Sequence, residues 1–207
     1  MKRYSVIRLA LALLLFASAL APFSPAAARE TVPAEVTEPT APEPEPQASN
    51  IGVNGFFSVD RAQQGTSFQA AVVMGIPRGL HVNSNKPLGK YAVPTVVKVD
   101  APRGFRVTPV SYPRGSVRTF RFGGSDESRL AVYEGRTVFR FNVSVPANQP
   151  FGVETVRVSV RFQSCSEEVC YPPATRNLDL HIGVVGGDAS VNRINGQYFG
   201  GGGRRKK

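Results

Sequence analysis

Apolar and polar residues alternate with a period of two through much of this chain. In "RTVFRFNVSV", Phe139, Phe141, Val143 and Val145 alternate with Arg140, Asn142 and Ser144. In "VETVRVSVRFQ", Val156, Val158, Val160 and Phe162 alternate with Arg157, Ser159 and Arg161. In "NLDLHI", Leu178, Leu180 and Ile182 alternate with Asp179 and His181. Successive side chains of a strand point to opposite faces, so each segment predicts a strand with one face buried and one wet. Shorter segments at 52–59, 66–74, 80–84, 95–100, 105–110, 117–122 and 130–133 predict further strands. Turn signals separate them: Pro77-Arg78-Gly79, Pro102-Arg103-Gly104, Pro113-Arg114-Gly115, Gly123-Gly124 and Glu134-Gly135. No segment carries a sustained helical period. Short strands at near-regular spacing predict an all-β fold, an immunoglobulin-like antiparallel β-sandwich. The antibody signature is missing, because the chain has no Trp and its two Cys are too close in sequence to join two sheets.

The pattern breaks at both ends. Lys2, Arg3 and Arg8 precede an uncharged Leu/Ala-rich run, Leu9 to Ala21, and then Ala26-Ala27-Ala28. This is the layout of a secretory signal peptide spanning 1–28, and the run is short of the about 20 residues that a spanning helix needs. The mature protein is therefore expected to be exported, in the periplasm of a bacterium, where a disulfide can persist. Residues 29–49 are rich in Pro and Glu and lack large apolar side chains, which predicts a disordered linker. Residues 50–185 form the expected domain. Residues 186–207, Gly-rich and ending in Arg204-Arg205-Lys206-Lys207, are expected to be a flexible basic tail. Both 29–49 and 187–207 are expected to be removable without loss of folding.

Charge changes the picture little. The chain carries +10, of which the signal accounts for three, leaving 10 − 3 = +7. The arginines are scattered singly over strand segments, without an aromatic-rich nucleic-acid motif, so no nucleic-acid partner is expected. The RRKK tip could touch an anionic membrane surface, at about 1 kcal/mol per cation.

Candidate chemistry is concentrated in "FQSCSEEVCYPP", Phe162 to Pro173, which holds both cysteines, Cys165 and Cys170. A bond between them closes so short a loop that the chain-entropy model gives it only about 2 kcal/mol. Zinc would need two more ligands than the pair supplies. The two histidines are poor candidates: His181 alternates with core residues and points outward, and His81 in "GLHVNSN" lies in a loop or edge. No metal and no organic cofactor are expected. The pair should sit in the mouth of a hairpin between two core strands, within reach of a partner. Glu167 and Glu168 lie between the cysteines, and nearby negative charge disfavours a thiolate.

The stretch Phe162-Gln163-Ser164-Cys165, four residues, then Cys170-Tyr171-Pro172-Pro173-Ala174-Thr175 resembles the active-site hairpin of the N-terminal periplasmic domain of DsbD-type thiol:disulfide interchange proteins. "GLHVNSNKPLGKYAVPT" and "LAVYEGRTVFRFNV" are similar to that family as well, so the likeness covers roughly 55–185. The resemblance implies an immunoglobulin-like fold and an electron-relay dithiol, Cys165 and Cys170, cycling between disulfide and thiols. Gln163, Glu167, Glu168, Tyr171, Pro172 and Pro173 would support it in the hairpin. It implies a membrane thiol reductant as donor and periplasmic thioredoxin-like or isomerase proteins, or cytochrome c maturation proteins, as acceptors. It favours Cys170 as the partner-facing sulfur, with Cys165 resolving. It also implies a cap loop, matched here by 117–128, with Phe120 or Phe122 shielding the sulfurs and Gly123-Gly124 as hinge. Members with the full activity carry a membrane domain and a thioredoxin-like domain, and neither is present in this sequence. Two readings therefore stand: a thiol:disulfide interchange oxidoreductase module, or a non-catalytic β-sandwich binding module with a small structural disulfide.

Overall fold

The computed structural model describes residues 50–122 and 127–200. The signal, the 29–49 linker, Gly123-Gly124 and the Arg204–Lys207 tip lie outside the described residues.

Among the described residues, twelve strands and one short helix follow in chain order: β1 (Gly52–Phe57), β2 (Arg61–Gln63), β3 (Ser67–Gly75), β4 (His81–Asn83), β5 (Val96–Asp100), β6 (Arg106–Val107), β7 (Ser116–Phe120), β8 (Ser128–Tyr133), β9 (Arg136–Ser144), β10 (Gly152–Phe162), β11 (Ser164–Cys165), β12 (Ala174–Val185) and α1 (Gly196–Phe199). They form three sheets of order β1-β3-β9-β6, β2-β12-β10-β5 and β11-β4-β8-β7. All pairings are antiparallel except a short parallel one of β12 with β2. The expected sandwich is therefore present, and β2 and β11 are additions that the sequence pattern did not reveal.

The core lies between the first two sheets. Phe68, Val72, Phe139, Phe141 and Val143 from the first meet Val156, Val158, Val160, Ile182 and Val184 from the second. These are the apolar members of the alternating segments. Fully burying each stabilises the fold by about 1.5–3 kcal/mol before entropy is charged. Phe139 and Phe162 are both 0% exposed. Two of the turns depend on glycine: Gly79 and Gly104 adopt φ of 78° and 87°, a region in which a Cβ is strained.

The C-terminal segment differs from the expected tail. Residues 187–200 run back across the first sheet. Arg61 Nη2 donates to Ser190 O at 2.7 Å, Asn192 Nδ2 to Asp60 Oδ2 at 2.7 Å, and Asn195 Nδ2 to Phe57 O at 2.9 Å. Tyr198 stacks on Phe56 with centroids 4.3 Å apart, and its carbonyl accepts from Arg140 Nε at 2.6 Å. Phe56, Ala71 and Arg140 are in register across β1, β3 and β9. They share the sheet's outer face, and Ala71 there is 0% exposed. One aromatic seated on this row and repeated hydrogen bonds hold the segment, despite its low apolar content. Tyr198→Ala is expected to lower the unfolding free energy by about 1–2 kcal/mol in urea titration. An unchanged midpoint would show that the segment adds nothing.

Candidate functional site

The second and third sheets separate at Gln163. β10 ends at Phe162 in the second sheet, and β11 begins at Ser164 in the third, paired with β4. Pro172 and Pro173 explain why the chain can do this. Neither has an N–H for a ladder, so pairing of β12 with β10 starts only at Ala174, opposite Phe162. Residues 164–171 are left to form a miniature hairpin of their own. Tyr171 N donates to Ser164 O at 2.9 Å, and Ser166 N to Val169 O at 2.8 Å. Ser166 Oγ accepts from the amides of Glu168 and Val169 at 3.2 and 3.1 Å. Cys165 and Cys170 face each other across this hairpin and are joined by a disulfide.

Gln163 anchors the hairpin. Its Oε1 accepts from Asn83 Nδ2 at 3.1 Å and from Val93 N at 3.2 Å. Its Nε2 donates to Tyr171 O at 3.2 Å. One side chain thus ties together β4, the 84–95 loop and the far arm of the hairpin, at about 1 kcal/mol per bond.

The site occupies one face of the third sheet. Directly opposed residues of an antiparallel pair share a face. Val82 packs into the main core, so His81 and Asn83 face the other way, with Cys165 and Gln163 opposite them. The same face continues as Val132 and Leu130 on β8, then Arg118 and Phe120 on β7. Phe120, Leu130 and Val132 form a second, small apolar cluster, with Phe122 packed against it. The sandwich core and the chemical site are thus back to back on this sheet.

The two sulfurs are not equivalent. Cys165 is 0% exposed, whereas Cys170 is exposed. The expected reachable pair is thus half correct: the sheet switch draws Cys165 into the interior and leaves Cys170 at the surface. A cavity of about 370 Å³ opens beside Cys170, lined among others by Asn83, Lys90, Tyr91, Phe122 and Gln163.

The two cap candidates separate as well. Phe120 is 2% exposed and stacks on the His81 ring at 4.0 Å. Phe122 is half-buried, stacks on Phe120 at 5.5 Å, and lines the cavity that reaches Cys170. Phe120 is an interior layer and Phe122 the outer one. Arg121 and Glu127 pair across the neck of the loop.

Two electrostatic points depart from expectation. Glu167 lies 4.0 Å from Arg118, which also holds Glu134 at 3.1 Å. Part of its negative charge is met by a cation that the local sequence does not place beside it. His81 is neither loop nor edge: it sits on β4, between β11 and β8, and is 2% exposed. Burial, with the Arg118 cation adding, holds its pKa down to about 4, so the imidazole is neutral at neutral pH. Its Nε2 is buried without a hydrogen-bond partner. All three β4 residues are buried, so no alternation marked His81 in the sequence. His181 is exposed, as expected, and lies 2.9 Å from Thr155 Oγ1 through Nδ1.

The family profile described as "Thiol:disulfide interchange protein DsbD, N-terminal" matches residues 53–182. No curated protein matches the chain. Among solved structures, the chain is similar to the reduced DsbD N-terminal domain of Neisseria meningitidis, at 19% identity and a TM-score of 0.40, over 72% of this chain and 93% of that one. It is also similar to a structure of the complex between the DsbD and PilB N-terminal domains of the same organism, at 21% identity and a TM-score of 0.36, over 59% and 80%. A third is the N-terminal periplasmic domain of ScsB from Proteus mirabilis, at 15% identity and a TM-score of 0.41, over 67% and 51%.

Proposed function

The chain belongs to the family of DsbD N-terminal domains, which mediates thiol–disulfide exchange, and from that premise we propose that Cys165 and Cys170 are its working pair, with Cys170 meeting the partner and Cys165 resolving. The observation that carries this assignment is the difference in burial: one sulfur-bearing residue is at the surface beside a cavity, and its disulfide mate is fully enclosed. A partner thiolate attacks the disulfide at Cys170, Cys165 leaves, and a mixed disulfide through Cys170 results. Attack by a donor and release of an acceptor are the same step run in opposite directions. No organic cofactor is needed, because the sulfurs carry the electrons.

The donor in this reading is a membrane thiol reductant. The acceptors are periplasmic oxidoreductases with a thioredoxin-like fold, isomerases or cytochrome c maturation proteins among them. The workplace is the periplasm. Among the described residues no helix is long and apolar enough to cross a membrane. Phe122 serves as the movable cover, because it borders the Cys170 cavity, while Phe120 supports it from below. Gln163, Tyr171, Pro172 and Pro173 hold the hairpin off the main ladder so that Cys170 is presented at its edge. Glu167 and Glu168 ride on the exposed turn.

Trapping in cells tests this assignment. Cys165→Ala should accumulate a reductant-sensitive adduct with a thioredoxin-fold oxidoreductase, joined through Cys170. Cys170→Ala should give none. Adducts through Cys165 instead would reverse the roles.

A further inference from the structure

The resolving step has an unmet chemical need. In the mixed disulfide, Cys165 must lose its proton to become a nucleophile. Cys165 is 0% exposed, and the face around it is closed by His81 and Phe120, each 2% exposed. Hydroxide and buffer bases do not reach such a thiol without local opening. The acids on this face are poorly placed to replace them: Glu134 and Glu167 both lie on Arg118, with side chains 40% and 66% exposed.

His81 is placed differently. It is the direct cross-strand partner of Cys165 and shares its face. Opposed residues of this kind have Cβ atoms about 4.5–5.5 Å apart, within reach of an imidazole and a thiol. Its ring is held against Phe120. Its Nε2 is buried and has no hydrogen-bond partner in the disulfide form. Native structures seldom leave such an atom unpaired without reason. A disulfide has no S–H to donate, whereas the dithiol and the mixed disulfide both carry one on Cys165.

We propose that His81 is the proton partner of Cys165: its buried ring nitrogen accepts the S–H hydrogen bond when Cys165 is a thiol and takes the proton as that sulfur attacks. This rests on the relay assignment above. In the step, a bond forms between Cys165 Sγ and Cys170 Sγ while the bond from Cys170 Sγ to the partner sulfur breaks. The electron pair leaves with the partner sulfur. The proton moves from Cys165 to His81, then to the leaving thiolate or to water admitted as the partner departs. The dithiol is oxidised by two electrons and the partner is reduced.

The charges around His81 fit this role. Arg118 faces it from β7, Glu134 stands at the end of β8, and Glu167 reaches in from the hairpin turn. In the disulfide form burial and the Arg118 cation keep the ring neutral, so it can accept an S–H hydrogen bond; it takes the proton only as the Cys165 thiolate forms beside it and supplies the opposite charge. When Cys165 gives up its proton, thiolate and imidazolium form together. The closed face then carries a neutral pair rather than a lone charge, which limits the desolvation cost.

Stopped-flow reaction of the reduced protein with 5,5′-dithiobis(2-nitrobenzoate) isolates the step. Attack by Cys170 releases the first thionitrobenzoate, and attack by Cys165 on the resulting mixed disulfide releases the second. In His81→Phe, which keeps the stacked ring, the first phase should stay within about twofold of wild type. General acid–base catalysis is commonly worth about 10²–10⁴-fold, so the second phase should slow by at least about tenfold at neutral pH. The deficit should persist through about pH 8.5, where an exposed thiol ionises unaided, because solvent base does not reach this one. His81→Gln, which keeps a planar polar group, carries the same expectation and replaces His81→Phe if that variant does not fold. A second phase within about twofold of wild type at every pH, in a folded variant, overturns the role of His81. A wild-type protein that releases no second equivalent contradicts the relay assignment itself, so the two failures are distinct.

Discussion

Phe120→Ala should lose about 3–5 kcal/mol of unfolding free energy, and Phe122→Ala only about 1–2 kcal/mol, while Phe122→Ala alone should speed reaction of the reduced pair with a small disulfide, by several-fold. The two rings stack on each other but occupy different layers. Phe120 is 2% exposed and lies between the His81 ring and the Leu130–Val132 cluster. Truncating it leaves a cavity that strands paired on both sides can fill only in part, and uncovers the imidazole. Phe122 is half-buried and borders the cavity at Cys170. Its removal widens the approach to the outer sulfur, whose residue is already at the surface, and costs little packing. Chemical denaturation and the rate of exchange, measured on both variants, separate the layers. Large and equal stability losses with unaltered exchange would make both rings plain core residues and leave the pair without a cover.

The second large effect concerns the cysteines taken singly. Cys165→Ala leaves Cys170 at the surface, whereas Cys170→Ala leaves Cys165 enclosed by β4, Phe120 and the hairpin. A thiol that reacts only after local opening is slowed by the opening equilibrium. Alkylation of Cys165 in the second variant should be slower than that of Cys170 in the first by at least about a hundredfold, equivalent to about 2.7 kcal/mol of opening. The contrast should vanish in denaturant. Similar rates in the folded proteins would remove the assignment of Cys170 as the partner-facing sulfur.

These outcomes show what a strand pattern can and cannot convey. β9, β10 and β12 were legible because each is nine residues or longer and carries at least three large apolar side chains at every second position. The cysteine motif pointed to the right chemistry, yet the inequality of its sulfurs was hidden. It arises from a change of sheet at Gln163, and two-residue β11 is too short to carry a period. His81 was misplaced for a related reason. β4 is buried on both faces, one in the main core and one under Phe120, so "HVN" shows no alternation. The C-terminal segment has the composition of a tail, but composition reports an average. A single tyrosine seated on Phe56, with backbone and amide hydrogen bonds, holds 187–200 in place at low apolar content. Short elements and single anchors are where sequence periodicity loses information.

The Arg118 arrangement shows the same limit for electrostatics. Two adjacent glutamates between cysteines read as a local negative field. In the fold, Arg118 on β7 meets Glu167 from the hairpin and Glu134 from the end of β8. Three separate elements thus supply the charges beside the hairpin, and no local stretch of sequence contains all three.

The equilibrium reduction potential of the Cys165–Cys170 pair separates a working relay from a structural staple. It is measured by incubating the protein in thiol–disulfide buffers of graded potential and counting the free thiols by mass after acid quenching and alkylation. A pair that exchanges in service must lie within reach of biological thiols, so its potential should lie above about −300 mV, with both cysteines reduced together. A value well below about −300 mV would mark the bond as a structural staple and contradict the relay.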